Sequence, residues 1–228
     1  MITISMLTFN KLEYTKACLE SLFMNTKYPV HEIVVSDNGS TDGTQDFLKS
    51  LGNRIVFVDN KENLGFAKAH NKIINMYSEN DIVLVNNDIE VPFGWLSTIQ
   101  HCIIKRELGA AGPSIQVKNG LDVGAVLDFQ AKGRSIINDY TEPDWITGSC
   151  MYITRETIKK VGLLDCGFQF YYEDVDFCHR LKIAGIKFQC IREVVIKHHN
   201  SVSSTPEWKK KIMEESRLYF LSKHRDSK

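Results

Sequence analysis

The 228-residue sequence has no excess of charge of either sign, because 28 Lys and Arg residues balance 28 Asp and Glu residues. Without a one-signed field the protein does not attract nucleic-acid phosphates nonspecifically, so we expect no nucleic-acid partner. The short basic stretch at residues 208–211 is typical of a solvated helix face, although peripheral contact with a membrane surface is left open there.

The sequence also lacks cysteine pairs and long apolar runs. Its six cysteines show neither a CxxC pair nor zinc-finger spacing, which favours reduced thiols in a cytoplasmic protein. Residues 2–7 are typical of a strand rather than of a signal peptide, and no apolar run reaches membrane-spanning length. We therefore expect a cytoplasmic location, with association at the inner face of a membrane left open.

The first half of the sequence alternates between strand and helix. Short β-rich runs at residues 2–7, 32–36, 54–58 and 82–85 are separated by segments of helical period. This alternation predicts an α/β domain with a Rossmann-like, mostly parallel central sheet flanked by helices. The absence of a linker predicts one domain over residues 1–228.

The pattern loosens after Pro92, which predicts mixed strands in the second half. Irregular strands are expected at residues 109–117, 121–127 and 147–154. A helix is expected at residues 155–161 and another from Glu173. Two late strands, at residues 187–191 and 194–198, precede a terminal helix that begins at Pro206 and packs either on its own domain or on a second subunit.

Polar residues follow two of the buried strands, and parallel strands bring their carboxyl ends to one edge of the sheet. One such segment, residues 37–44, holds two glycines and several short oxygen side chains. The other is Asn86, Asn87 and Asp88, whose hard oxygen atoms suit Mg²⁺ or Mn²⁺. Each segment also has a purely structural interpretation, as a turn with a helix cap or as an Asx turn.

The common glycine-rich phosphate motifs are missing. No Gly-Lys-Ser/Thr follows the first polar segment, and no GxGxxG follows the first strand. A nucleotide-dependent oxidoreductase, which four β-α units would also suit, is therefore the less favoured alternative.

The helix predicted from Glu173 presents acidic residues on two faces. At about 100° per residue, Asp174 shares a stripe with Cys178 and Leu181, whereas Glu173 and Asp176 project with Arg180. The second group predicts a salt-bridged structural face. Asp174 faces inward near a helix N-terminus, where the dipole favours its ionised form, and is the candidate general base.

Two adjacent histidines, His198 and His199, end the last predicted strand. Neighbouring residues on a strand face opposite ways, so at most one of them can reach a shared metal or phosphate. Each alone is more typical of a surface residue.

Taken together, these segments resemble the family 2 glycosyltransferases, which have the GT-A fold, and especially the rhamnosyltransferase-like bacterial members. The resemblance covers nearly the whole chain. The matching segments are LTFNK (7–11), VSDNGSTDGT (35–44), ENLGFA (62–67), LVNND (84–88), WITGSCM (145–151), YYEDVD (171–176), Arg180, Gly185 and the pair His198-His199.

The resemblance implies a role for each matching residue. Residues 1–91 would form a nucleotide-binding half, residues 92–205 an acceptor-binding and catalytic half, and residues 206–228 a terminal helix. The nucleotide would contact Thr8, Phe9, Asn10, Asp37, Asn38, Asn63, Gly65, Asn71, Asn86 and Asn87. The acceptor would be bordered by Trp145, Thr147, Gly148, Ser149 and Glu173. Asp174 would be the catalytic base, and Asp88 would bind Mn²⁺ or Mg²⁺ with His198, or alternatively His199.

The implied reaction is inverting transfer of a sugar from a UDP- or dTDP-linked donor to a hydroxyl of a glycan or lipid-linked acceptor. One departure from the family pattern is Asn86, which stands where many relatives have the first Asp of DXD. An amide brings no charge to a metal, so a nucleotide-sugar-binding protein with a decayed site is the other alternative.

Overall fold

Four apolar segments of the first half form parallel strands in the computed structural model, which describes residues 1–27, 32–139, 141–200 and 206–225. They are β1 (Ile2–Thr8), β2 (Glu32–Asp37), β3 (Val56–Asp59) and β4 (Asp81–Asn86). Their order is β3-β2-β1-β4, and β1 pairs in parallel with both β2 and β4. The predicted parallel half of the sheet is thus confirmed.

Helices cover both faces of these strands. They are α1 (Leu12–Asn25), α2 (Thr44–Ser50) and α3 (Gly65–Met76), with a short 3₁₀ turn at Gly52–Arg54. The alternation of side chains along β4 separates two cores: Val83 and Val85 pack in one cluster with α1, whereas Ile82 and Leu84 pack in another with α3. Burial on both faces explains why β4 is apolar without alternation.

A further helix follows the fourth strand at a place where no helix was predicted. After the two-residue strand β5 (Ile89–Glu90), α4 (Trp95–Arg106) begins behind Gly94, which has φ 72°. Its buried residues fall at helical spacing and join the core on α1: Trp95, Leu96, Ile99, Cys102 and Ile103. The buried face of α4 extends the core beneath the second half of the sheet.

The second half of the sheet is mixed, as predicted. Strand β9 (Cys150–Ile153) lies antiparallel between β4 and β6 (Ala110–Val117), and β10 (Phe188–His198) runs parallel to β6. The two late strands predicted at residues 187–191 and 194–198 are in fact one strand, β10, whose register shifts between Ile191 and Val195. That irregularity interrupts the alternation from which two strands were inferred.

A hairpin extends from the edge of β6. It consists of β7 (Gly120–Leu127) and β8 (Gly133–Ile137), and β8 was not predicted. Four of the five residues of β8 are exposed, so it carries little apolar signal. Residues of β8 border the cavity of the candidate active site, so the prediction missed part of its wall.

The remaining helices are α5 (Arg155–Val161), α6 (Glu173–Ile183) and α7 (Pro206–Lys223). Helix α7 packs on its own chain through Ile212, Ser216 and Phe220, which are buried. The predicted boundary at 205/206 adjoins residues 201–205, which lie outside the described part, as do residues 226–228 of the predicted terminal segment. No helix within the described ranges is both long and apolar enough to cross a bilayer.

Candidate active site

A cavity of about 870 Å³ opens where β1, β4 and the N-terminus of α6 meet. Most of the predicted site residues line it: Thr8, Phe9, Asn38, Asn63, Asn86, Asn87, Asp88, Trp145, Thr147, Gly148, Ser149, Glu173, Asp174 and His198. The acids Asp88 and Asp174, 86 positions apart in the sequence, therefore share one cavity.

The loop after β2 is organised by Asp37, which is fully buried and does not line the cavity. Its carboxylate accepts hydrogen bonds from the backbone N–H of Gly39 at 3.1 Å and of Ser40 at 2.9 Å, and from the Gln45 amide at 2.9 Å. Asn10 secures the same loop, because its Oδ1 accepts from the Thr41 N–H at 2.8 Å. Both residues therefore shape the wall from behind.

Asn38 joins this loop to the turn that begins α3. Its Nδ2 donates to Asn63 Oδ1 at 3.1 Å and to the Gly65 carbonyl at 3.2 Å, while its Oδ1 accepts from Asn60 at 2.9 Å. Gly65 has φ 76°, and a Cβ there would lie 2.9 Å from the Gln169 carbonyl, so only glycine fits without displacement. Gly65 thus allows the segment before α6 to approach.

Asn71, another predicted nucleotide contact, joins two parts of the fold instead. Its Nδ2 donates to the Leu164 carbonyl at 2.8 Å, and its Oδ1 accepts from the Leu164 N–H at 3.1 Å. The side chain ties α3 to the segment after α5 and is not part of the cavity wall. Asn87 does line the cavity and donates to Thr15 Oγ1 at 3.0 Å.

Asp88 and His198 form the pair predicted to bind metal. His198 Nε2 lies 3.2 Å from Asp88 Oδ1, since β5 and β10 pair next to this point. His199 faces the other way, 2.5 Å from Glu90 Oε1 and against the Tyr14 ring. The structure thus brings His198, rather than His199, to Asp88.

The donor set of this pair fits a divalent cation that is shared with a ligand. Within the described residues no group of three or more His, Cys, Asp or Glu side chains could enclose a metal. Mn²⁺ or Mg²⁺ is commonly held by one or two protein ligands together with substrate phosphates, and Asp88 and His198 match that arrangement.

Asp174 stands in the first turn of α6, on the inward stripe shared with the buried Cys178 and Leu181, as the helical wheel predicted. Its Oδ2 accepts from the Gly148 N–H at 2.9 Å, and its Oδ1 accepts from the Val175 N–H at 2.9 Å. The ionised form was expected to be favoured at this helix N-terminus, but burial raises the pKa of Asp174 above its usual value and outweighs the lowering effect of the hydrogen bonds from Gly148 and Val175. A carboxylate with a raised pKa is a stronger proton acceptor.

Glu173 corrects the helical-wheel prediction. Asp176 does pair with Arg180 at 2.8 Å, but Glu173 is not part of that face: it lines the cavity and is 4% exposed. Its Oε1 has no hydrogen-bond partner among the described residues. Burial, and then the negative charge of Asp174, raise the pKa of Glu173 to about 8. Side chains on a helix tilt toward its N-terminus, and Glu173 is the first residue of α6, so its carboxyl group reaches past the end of the helix into the cavity.

Sequence reasoning did not assign a further set of residues that line the cavity. These additional lining residues are Leu7, Phe66, Gly133, Ser135, Phe170, Tyr171, Tyr172, Val175, Asn200, Trp208, Lys209 and Met213. A cluster of aromatic residues directly before a paired Glu-Asp was visible in the sequence. The contribution of α7 was not, since no local pattern connects Trp208 to a strand edge.

Comparison with known proteins then decides the family. The model of the family described as "Glycosyl transferase family 2" matches residues 3–162. The chain belongs to this family. Among its relatives is the N-acetylglucosaminyl-diphospho-decaprenol L-rhamnosyltransferase of Mycobacterium tuberculosis, 24% identical over 86% of this chain and 75% of that protein. Another is the low-salt glycan biosynthesis hexosyltransferase Agl10 of Haloferax volcanii, 22% identical over 77% of this chain and 61% of that protein.

Solved structures show that this family 2 glycosyltransferase has the GT-A fold. GalNAc-T7 with UDP, GalNAc and Mn²⁺ superposes with a TM-score of 0.73 at 15% identity, over all of this chain and 52% of that one. The mannosyltransferase PcManGT from Pyrobaculum calidifontis, in complex with GDP-Man and Mn²⁺, superposes with a TM-score of 0.70 at 17% identity, over all of this chain and 65% of that one. The predicted fold class is confirmed.

Proposed function

We propose that the protein is an inverting glycosyltransferase that moves a sugar from a UDP- or dTDP-linked donor to a hydroxyl of a lipid-linked or glycan acceptor. The observation that carries the proposal is the convergence of the Asp88-His198 pair and Asp174 on one cavity. One group can hold the donor diphosphate while the other faces the acceptor.

The donor occupies the end of the cavity formed by β1 and β4. Thr8, Asn38 and Asn63 line this end and offer hydrogen bonds to a nucleoside. Asp88 and His198 would hold a divalent cation, which would supply positive charge to the diphosphate. Asn86, also on the wall, can contact the donor but adds no charge toward a metal.

The acceptor hydroxyl lies against Asp174. Asp174 takes the proton while the hydroxyl oxygen forms a bond to the anomeric carbon of the donor sugar. The bond from that carbon to the donor phosphate breaks, and the nucleoside diphosphate leaves with the electron pair. Attack from the side opposite to the leaving group inverts the configuration. The Gly148 N–H, 2.9 Å from Asp174 Oδ2, holds the carboxylate in place for this step.

The acceptor class is inferred from the wall that α7 contributes. Trp208 and Met213 are large apolar residues that remain 38% and 39% exposed beside the cavity. Lys209 lines the same wall and lies 5.6 Å from the Tyr171 ring. An apolar wall with one ammonium group suits a sugar joined through phosphate to a lipid, the kind of acceptor in the name of the mycobacterial relative.

The test is Asp174→Asn, which keeps the shape of the side chain but removes its basicity. We expect kcat for sugar transfer to fall by at least ~10², with little change in donor affinity. Asp46→Asn removes an exposed carboxylate from α2 and serves as the control for net charge. Near-normal turnover by Asp174→Asn would exclude Asp174 as the base.

A further inference from the structure

Two consecutive tyrosines immediately before α6 have a left-handed backbone: φ is 66° at Tyr171 and 71° at Tyr172. This conformation is unfavourable for residues with bulky side chains and persists only where surrounding contacts enforce it. Glu173 and Asp174 follow directly, so the backbone of this turn sets how both carboxyl groups enter the cavity. The contacts that hold the turn therefore matter for the reaction.

Helix α7 supplies several of those contacts. Ser216 Oγ donates to the Phe170 carbonyl at 2.8 Å. The buried Phe220 ring lies 5.9 Å from the Tyr172 ring, and the Trp208 ring packs edge-on against Phe170 at 5.5 Å. Side chains of α7 at three levels thus contact Phe170 and Tyr172, the residues on either side of Tyr171.

Helix α7 also contacts the connection between β7 and β8, which accepts a hydrogen bond from Tyr172. The Tyr172 hydroxyl donates to the Ala131 carbonyl at 2.7 Å, in the connection between β7 and β8. Arg217 Nη1 donates to the neighbouring Gln130 carbonyl at 2.7 Å. Helix α7 therefore holds the turn directly and also holds the loop to which Tyr172 is bonded.

The far end of α7 is bonded to α6 itself through the fully buried Asp176. This carboxylate accepts from Lys223 Nζ at 2.7 Å, His224 Nε2 at 2.8 Å and Arg180 Nε at 2.8 Å. Burial alone would raise the pKa of Asp176, but the hydrogen bonds from Lys223 and His224 and the charge of Arg180 outweigh it, so the pKa is lowered. The ionised Asp176 therefore joins α6 to the C-terminal end of α7.

We infer that α7 is a positioning element of the active site, in which Phe220 and Ser216 hold the left-handed Tyr171-Tyr172 turn and thereby set Asp174 against the acceptor. The inference rests on the proposed transferase reaction. It assigns a role to a helix that lies outside the residues matched by the family model, 3–162.

The first experiment compares variants of α7 by steady-state kinetics. Phe220→Ala is expected to lower kcat by about 10- to 100-fold, because a small misplacement of a reacting group has effects of that size, while the donor KM stays within about twofold. Phe220→Leu keeps an apolar contact and should recover much of kcat. Leu218→Ala, on the exposed side of α7, should match the wild type. An unchanged kcat, or equal losses in kcat and donor binding, would overturn the inference.

The second experiment is a double-mutant cycle that tests whether the left-handed backbone is the link. Asparagine adopts a positive φ more readily than tyrosine, so in a Tyr171→Asn background the turn needs less support from α7. We therefore expect Phe220→Ala to cost a smaller factor in kcat in that background than in the wild type. Losses that simply multiply would show that α7 does not act through the turn.

The third readout does not depend on turnover. With ¹³C-labelled carboxyl groups and Glu173→Gln for assignment, the pKa of Glu173, about 8 in the intact protein, is expected to fall toward 4.5 in Phe220→Ala as the turn loosens and water reaches the carboxyl. If Phe220→Ala does not fold, Ser216→Ala is titrated instead and should change in the same direction. An unchanged pKa refutes the inference even if the wild type transfers sugar, whereas a wild type without transferase activity refutes the proposed function instead.

Discussion

Replacing Glu173 by glutamine tests how deeply the site buries a carboxyl group. Glu173 is 4% exposed, its Oε1 has no hydrogen-bond partner among the described residues, and its pKa is raised from 4.5 to about 8 by burial and by Asp174. Glutamine keeps the shape of the neutral acid but cannot ionise. The pH dependence of stability should therefore differ between the two proteins.

The direction of the change in stability with pH follows from the tighter binding of the Glu173 proton in the folded state. Because the pKa is higher in the folded state, the contribution of Glu173 to stability is fully present below about pH 4.5 and is lost as the pH rises through about 8. At about 1.4 kcal/mol per pH unit, the total loss is about 5 kcal/mol. Of this, about 1 kcal/mol is lost by pH 5 and about 3 kcal/mol by pH 7. Relative to the wild type, Glu173→Gln should thus gain about 2 to 3 kcal/mol between pH 5 and pH 7.

The measurement is urea unfolding of both proteins at several pH values, with the free energy of unfolding extrapolated to water. Glu20→Gln removes a carboxylate from the exposed side of α1 and controls for the change in net charge. Free energies of unfolding for wild type and Glu173→Gln that stay parallel from pH 5 to pH 8 would refute the reasoning, because Glu173 would then titrate alike in the folded and unfolded states.

Two further outcomes are expected. Asp88→Ala and His198→Gln should weaken binding of the donor nucleotide diphosphate in the presence of Mn²⁺, whereas His199→Gln should not, because His198 rather than His199 lies beside Asp88. Calorimetric titration of the nucleotide diphosphate with and without Mn²⁺ measures this binding. Equal effects of the two histidine substitutions would contradict the prediction. Asp176→Asn should lower stability at pH 7 by about 3 kcal/mol, because it removes the buried negative charge that Arg180 and Lys223 share. The lowered pKa means that this contribution is present above about pH 4 and is lost in acid, so the melting temperatures of variant and wild type should converge there.

The parallel half of the fold could be predicted because its strands are buried on both faces and carry a continuous apolar signal. The strands that were missed or divided in the prediction lack this continuous signal. Strand β8 is almost entirely exposed and, within the described part of the chain, pairs with β7 alone, so its position depends on a hairpin partner rather than on burial. The continuous β10 was predicted as two strands, because its register shift breaks the alternation that marks a strand.

The site shows the same division between local and distant determinants. Asp88 could be predicted from its place after a buried strand, and the inward direction of Asp174 from helical spacing alone. Glu173 could not be placed in this way. The helical wheel assigned it to the face of Asp176 and Arg180, but as the first residue of α6 it reaches past the end of the helix into the cavity.

The two acids that define the cavity are therefore positioned by different parts of the chain. Asp88 lies just after β4, which pairs in parallel with β1. Its backbone is held near the sheet edge by a hydrogen bond from the His199 N–H to the Asp88 carbonyl at 2.9 Å. Asp174 depends on a left-handed turn held by side chains of α7. Under the proposed mechanism, changes in α7 should leave nucleotide binding at the sheet edge intact and lower the rate of transfer, whereas changes at β4 should reduce both.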